Sequence, residues 1–345
     1  GSMSEIDGNT VAYHFKEPLG VVGQIIPWNF PILMAAWKIP PALAAGNCIV
    51  LKPAESTPIS LLILIELIAD LLPPGVLNIV NGYGREAGMP LATSKRIAKI
   101  AFTGSTTTGR VIAQAAANNL IPATLELGGN DPAIVLEDVD VRETALAIFN
   151  GAFLNCGQVC LAVKRAYVHE SIYEAMCDEL ARLAQEAVVD DGLKQGTNIG
   201  PIQNRAQFEK VKGFLEAARR DGKIIAGGEA MERAGYFIQP TIVRDISDGH
   251  TIVDEEQFGP ILPVIAFSDV DDVVRCVNSS EYGLGGSIWS KDVERAAAIA
   301  VQRFDQVLQL GVDREHHRVA RGGGRGGQRA HRAAACRCFH ALEAG

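Results

Sequence analysis

The chain has no apolar run long enough to span a bilayer. The most apolar stretch, residues 59–72, is interrupted by Glu66 and Asp70, so it reads as a buried helix. Aromatic residues make up only 6% of the chain, and no basic stripe interrupts residues 1–306; with a formal net charge of −8, this argues against a nucleic-acid partner. The 7 cysteines show no metal-ligand pairing at the usual spacings, which excludes a zinc module and a disulfide framework. No secretory leader is visible, and a reduced, cytoplasmic protein with no membrane partner is the expectation. Gly1-Ser2-Met3 reads as a tag-cleavage scar and is set aside.

At 345 residues the chain is long enough for two ordinary domains. Short β-rich runs alternate with helical ones: strands over 47–51, 76–80, 97–102 and 123–127, and helices over 58–72, 85–92 and 109–118. This alternation predicts an α/β fold with a parallel, doubly wound sheet, whose ligands bind beyond the carboxyl ends of its strands. The segments that follow those strands are Lys52-Pro53-Ala54-Glu55, Gly82-Tyr83-Gly84 and Thr103-Gly104-Ser105-Thr106. A second α/β region follows Gly129, with strands over 164–169, 236–243, 262–267 and 286–289 and amphipathic helices over 172–188 and 205–220. Ahead of both, residues 10–16 alternate apolar and polar, as a half-exposed strand does.

Composition changes near Asp305. Residues 307–345 are rich in Arg and Gly and contain no Lys. One reading is an RNA-binding tail. The preferred one is a frameshift: Val307-Leu308-Gln309-Leu310-Gly311-Val312, read one base later, can encode Cys-Ser-Ser-Trp-Val. On that reading residues 306–345 form an aberrant, disordered tail.

Three segments carry chemistry. The first is Asn155-Cys156-Gly157-Gln158-Val159-Cys160-Leu161. A free thiol titrates near ~8.5, so a nucleophilic Cys160 needs help to ionise, and a helix starting at this segment would supply it through its first amides. The bland alternative is an inert core thiol, the reading preferred for Cys177 and Cys276, with Cys156 a spectator. The second is Thr124-Leu125-Glu126-Leu127-Gly128-Gly129. A carboxylate between two leucines at a strand end is placed for general-base work, although a turn glutamate is the ordinary alternative. The third is Pro27-Trp28-Asn29-Phe30-Pro31, where an amide that donates without titrating suits a developing oxyanion. A Pro-rich loop packing its aromatics is the plain alternative.

Taken together, Leu125-Glu126-Leu127-Gly128-Gly129, the Gly-Gln-x-Cys context of Cys160, and the stretch 20–52 resemble the NAD(P)-dependent aldehyde dehydrogenases of the acetaldehyde or aliphatic-aldehyde type. The resemblance covers residues 9–304. It implies a doubly wound cofactor domain over 20–128, a second α/β catalytic domain over 129–305, and part of an oligomerisation strand over 9–19, with the segment before it missing. It implies a small-molecule aldehyde as substrate, NAD as cofactor with NADP possible, no metal, and a homodimeric or homotetrameric parent enzyme. Cys160, Glu126 and Asn29 are then catalytic. Pro27, Trp28, Lys52, Glu55, Gly104, Ser105, Gly109, Leu127, Glu256 and Phe258 bind cofactor; the last two belong to Glu255-Glu256-Gln257-Phe258-Gly259-Pro260. Glu55 would accept from a ribose hydroxyl and repel a 2′-phosphate, which favours NAD. Phe30, Met34, Trp37, Val159 and Leu161 line the aldehyde's approach, Phe30, Met34 and Trp37 at even odds with a core role. The sequence departs from the family at Asn130, where a lysine is usual. Two other functions remain open at this point: a CoA-acylating relative, against which Glu126 speaks, and a catalytically silent nucleotide-binding fragment.

Overall fold

The computed structural model describes residues 1–308, with side chains through 301. The reading of residues 306–345 as an aberrant tail lies outside the described residues, apart from the last three residues of the final helix. Among the described residues, no helix is long and apolar enough to cross a membrane. The chain divides into two compact units, one spanning Gly1–Gly128 and the other beginning at Gly129.

The first unit opens with a hairpin of β1 (Ser2–Asp7) and β2 (Thr10–His14), antiparallel, with Met3 facing Tyr13 and Glu5 facing Val11. The Asn9 amide donates to Asp7 Oδ1 at 2.9 Å and closes the turn. The strand expected over 10–16 is thus β2, ending at His14 and paired with the residues that precede it. Setting aside Gly1-Ser2-Met3 hid the partner, because Ser2 and Met3 pair with His14 and Tyr13.

There follow β3 (Val21–Ile25), α1 (Pro31–Ala44), β4 (Cys48–Lys52), α2 (Ile59–Leu67), β5 (Leu77–Ile79), α3 (Met89–Thr93), β6 (Lys99–Thr103), α4 (Thr106–Asn119) and β7 (Ala123–Glu126). The five strands form a wholly parallel sheet in the order β5-β4-β3-β6-β7. The strands are short apolar runs because both faces are covered. Ile49, Leu51 and Leu61 are fully buried in one cluster, and Ile100, Phe102 and Ala92 are buried in another. The chain winds outward from β3 to β5, then crosses to β6, so the winding reverses between β3 and β6. Such a reversal opens a crevice at the carboxyl ends of the strands.

The expected helix over 58–72 ends at Leu67 and continues only as a 3₁₀ turn, Ala69–Leu71. The expected helix over 85–92 is a π-turn, Gly84–Gly88, running into α3. Gly84 and Gly88 weaken the α-helical choice there.

The second unit contains β8 (Asp131–Val135), α5 (Val141–Phe153), β9 (Val163–His169), α6 (Tyr173–Glu186), α7 (Arg205–Asp221), β10 (Lys223–Ala226), β11 (Thr241–Arg244), α8 (Thr251–Asp254), β12 (Ile261–Phe267), α9 (Val270–Asn278), β13 (Ser287–Trp289) and α10 (Val293–Leu308). Its six-stranded sheet runs β10-β11-β12-β9-β8-β13, with only β10 antiparallel to its neighbour. The strand expected over 236–243 is shorter, starting at Thr241. Pro240 has no N–H for a ladder, and only an isolated bridge between Ala230 and Ile238 precedes it.

Candidate active site

In the first unit, four of the segments singled out above lie at one edge of one sheet. Because β3, β4, β6 and β7 are parallel, their carboxyl ends share that edge. Pro27, Trp28, Asn29 and Phe30 follow β3 and are all half-buried. Pro31 is the first residue of α1, where a missing N–H costs nothing. Lys52 closes β4. Its side chain is buried, and its Nζ donates to the Pro53 carbonyl at 3.0 Å and to Glu55 Oε2 at 3.2 Å. Partial burial pushes the Glu55 carboxyl up, but its own backbone amide and Lys52 win and hold it below the usual range.

Gly104 and Ser105 join β6 to α4. Ser105 caps that helix by accepting from the Thr108 amide at 3.3 Å. A Cβ on Gly109 would meet Leu127 Cδ2 at 2.3 Å, so Gly109 is what lets α4 pack against Leu127.

Glu126 is the last residue of β7, half-buried and paired in register with Thr103; its carbonyl accepts from the Gly104 amide at 3.0 Å. Two strand spacings, about 10 Å, separate the end of β7 from the end of β3, which precedes the Asn29 loop. Sequence reasoning missed Lys38, on α1. Burial pulls its ammonium down to about 8, and the negative charge of Glu126 opposes the fall. Its backbone carbonyl accepts from Gln24 Nε2 at 2.8 Å, and Gln24 is itself buried. A signal was present: Lys38 is the only charged residue between Glu17 and Lys52.

Among the residues expected to line the aldehyde's approach, Met34 is buried in the core cluster with Ile26, Ala35 and Ile39, and Phe30 packs against that cluster. Trp37 is 47% exposed.

In the second unit the candidate residues gather at the opposite kind of edge. Cys160 precedes β9, Gly129 precedes β8, and Glu256 and Phe258 precede β12, so all lie at amino ends of parallel strands. The carboxyl-end rule places only the first unit's segments. No helix starts at Cys160, which corrects that expectation: the thiol sits in a turn between the 3₁₀ turn Leu154–Gly157 and β9.

The turn is shaped by three successive residues in the left-handed region, Asn155 (φ 51°), Cys156 (φ 58°) and Gly157 (φ 73°). A Cβ on Gly157 would lie 2.3 Å from the Gly259 carbonyl oxygen, so the glycine admits the segment 256–260 alongside. Gln158 is buried; its Nε2 donates to the Asn155 carbonyl at 2.9 Å, and its Oε1 accepts from the Gln203 amide at 2.9 Å. Gln207 Nε2 donates to the carbonyls of Gln257 and Phe258 at 3.1 and 2.9 Å. A Cβ on Gly129 would lie 2.6 Å from the Cys160 carbonyl oxygen, which accounts for the second glycine of that pair. Val159 and Cys160 are half-buried and Leu161 is 49% exposed.

Burial raises the Cys160 thiol, Lys164 lowers it, and Asp131 and Glu256 raise it again; the net direction is up. Cys156 is buried completely enough to be pushed up to about 12, which makes it a poor competitor as a nucleophile. Cys177 is fully buried, and Cys276 packs at the core's margin.

Asn130, where the sequence leaves the family pattern, is a joint. Its Nδ2 donates to the Val253 carbonyl at 2.7 Å, and its own carbonyl accepts from Arg165 Nε at 3.0 Å.

The comparisons with known proteins identify the family. The family model described as "Aldehyde dehydrogenase family" matches residues 1–326. An aldehyde dehydrogenase of Rhodospirillum rubrum is 51% identical over 309 residues, which is 86% of this chain and 60% of that protein. An acetaldehyde dehydrogenase of Pseudomonas aeruginosa is 50% identical over 307 residues, again 86% of this chain and 60% of the relative. Among solved structures, an NAD+ complex of aldehyde dehydrogenase from Bacillus cereus has a TM-score of 0.85 at 41% identity, covering 88% of this chain and 62% of that one. The chain thus spans about 60% of the length of the curated relatives it matches. Both units, the thiol turn and the glutamate strand lie within the matched residues, and this chain belongs to the aldehyde dehydrogenase family.

Proposed function

We propose that this chain oxidises an aliphatic aldehyde to its carboxylate, with Cys160 as nucleophile and NAD as hydride acceptor. The observation that carries the reading is the Cys160 turn. A half-buried thiol stands on a strained, heavily tied loop beside the segment that holds Glu256 and Phe258. An ordinary core cysteine needs none of this.

Residues suited to NAD are present at the first sheet's carboxyl edge. The Gly104-Ser105 turn offers first-turn amides to a pyrophosphate, and Lys52 with Glu55 offers a cation and an acceptor to a ribose. Glu55 favours NAD over NADP, because an ionised carboxylate repels a 2′-phosphate. NAD, when bound, accepts the hydride.

The remaining steps belong to the chain. The Cys160 thiolate adds to the aldehyde carbonyl, forming a C–S bond and an oxyanion. The side-chain amide of Asn29 and the Cys160 N–H donate to that oxyanion. Loss of hydride leaves a thioester on Cys160. Glu126 then takes a proton from water, whose oxygen attacks the thioester and releases the carboxylate and the thiol. Pro27, Trp28, Leu127, Glu256 and Phe258 position the cofactor, and Phe30, Trp37, Val159 and Leu161 border the aldehyde. A short aliphatic aldehyde is the substrate class, in keeping with the acetaldehyde-oxidising relative.

Glu126→Gln tests the division of roles. The expected outcome in rapid mixing is a retained burst of NADH with a steady-state rate lowered by about 10²-fold or more. Loss of the burst together with the steady state would assign Glu126 to the first half-reaction instead and contradict the scheme.

A further inference from the structure

Lys164 has no part in the scheme above, yet its side chain is 3% exposed and its ammonium is aimed at the nucleophile's backbone. Nζ donates to the carbonyls of Val159 and Cys160 at 2.7 and 2.9 Å and stands 3.4 Å from Glu256 Oε1. The same Glu256 oxygen accepts from the Gly129 amide at 3.1 Å. The Phe258 ring centroid lies 5.9 Å from Nζ, within cation–π range. The Lys164 carbonyl accepts from Gln257 Nε2 at 3.3 Å, so the lysine's own backbone is fixed to the same acidic segment.

We infer that Lys164 is a positioning residue for the nucleophile: its ammonium clamps the Val159–Cys160 backbone and favours the Cys160 thiolate, and Glu256 is the counter-charge that moderates this effect. The inference rests on the reading of Cys160 as nucleophile.

The physical argument turns on cost. A buried ammonium is expensive, and burial does pull Lys164 down, against the opposing pull of Glu256 and Asp131. A clamp for two carbonyls needs no charge, since a neutral amide or hydroxyl donates as well. What a lysine adds is a positive field at a thiol that no helix terminus supports. The titratable groups that face one another here are Cys160, Lys164, Glu256 and Asp131. Lys164 is the only cation in that set. Glu256 and Asp131 both oppose ionisation of the thiol. The Asp131 carboxylate is also tied to the backbone, its Oδ1 accepting from the Gly285 amide at 3.0 Å.

Alkylation of Cys160 by iodoacetamide, followed across pH by peptide mass spectrometry, tests this without aldehyde or NAD. It therefore fails or succeeds independently of the proposed oxidation. The parent protein is compared with Lys164→Met and Glu256→Gln. Lys164→Met is expected to raise the midpoint of alkylation by about one pH unit or more, because the favourable cation is gone. Glu256→Gln is expected to lower it, because a carboxylate that opposes the thiolate is replaced by a neutral amide whose oxygen still accepts from Lys164 and Gly129. A purely structural lysine would lower thermal stability and leave the Lys164→Met midpoint where it was, and that result overturns the inference. Should Lys164→Met not accumulate as a folded protein, Lys164→Gln, whose neutral amide can still donate to the backbone carbonyls, decides in its place, and an unmoved midpoint overturns the inference.

Discussion

At the scale of single residues, burial separates the cysteines into roles. Cys156 and Cys160 are four positions apart, yet only Cys160 has a cation in front of it, and Cys156 is raised to about 12 by burial alone. Glycines do equivalent work: Gly157, Gly129 and Gly109 each stand where a Cβ would strike a neighbouring element. These positions were legible as glycine-bearing motifs, and the contacts that require them were not, because a clash is a property of the fold. Lys38 and Lys164 show the same limit. A lysine in an apolar stretch is visible in a sequence, but its partner is distant in the chain: Glu126 for Lys38 and Glu256 for Lys164.

Lys38 yields a pH prediction. Its ammonium is lowered by burial to about 8, well below its value in an unfolded chain, ~10.4. Between those values the unfolded state holds the proton and the folded state does not, so stability rises with pH across that window. Below about 8 both states are charged and the folded state carries the full burial penalty. Lys38→Met is expected to remove this rise and to melt no lower than the parent at neutral pH. Melting temperatures measured from pH 7 to 10 check it, and a parallel rise in the variant would contradict the assignment.

At the scale of elements, the alternating strands and helices between residues 47 and 127 were readable. Each buried parallel strand is a short apolar run between turn residues. The central strand β3 escaped because Gly23 and Gln24 interrupt its apolar run, although Gln24 is buried inside the sheet and its Nε2 donates to the Lys38 carbonyl. Helix α1 escaped because Pro40 and Pro41 lie within it. Strand β8 escaped because it begins Asp131-Pro132, where the register to β9 also shifts.

Four helices of the structure begin at side-chain caps that were not read from the sequence. Ser105, Asp140, Asn204 and Asp269 each accept from the amide three residues on. Ser105→Ala is expected to cost about 1 kcal/mol in chemical denaturation through the lost cap. If the first turn of α4 holds a pyrophosphate, the variant also binds NAD more weakly in calorimetry. Unchanged NAD affinity alongside the lost stability would leave Ser105 a cap and remove it from the cofactor site.

At the scale of the whole molecule, the family is the firmest result, and it was legible from a few motifs because their glycines, proline-framed amide and cysteine are rare in combination. The hairpin β1–β2 was only half legible, since the first two residues of β1, Ser2 and Met3, fall within the apparent tag scar. Each unit has its own buried core, so each carries its half of the proposed machinery on a packed sheet edge: Asn29, Lys52, Gly104, Ser105 and Glu126 on the first, and Cys160, Lys164 and Glu256 on the second.

The central claim is that Cys160 is acylated by substrate. The protein is mixed with NAD and a short aliphatic aldehyde, quenched in acid, digested and weighed by mass spectrometry. The account predicts an acyl thioester on the peptide containing Cys160, increased in Glu126→Gln and absent in Cys160→Ala. NADH formation with Cys160 left unmodified in Glu126→Gln, or an acyl group on Cys156 or Cys276 instead, would contradict it.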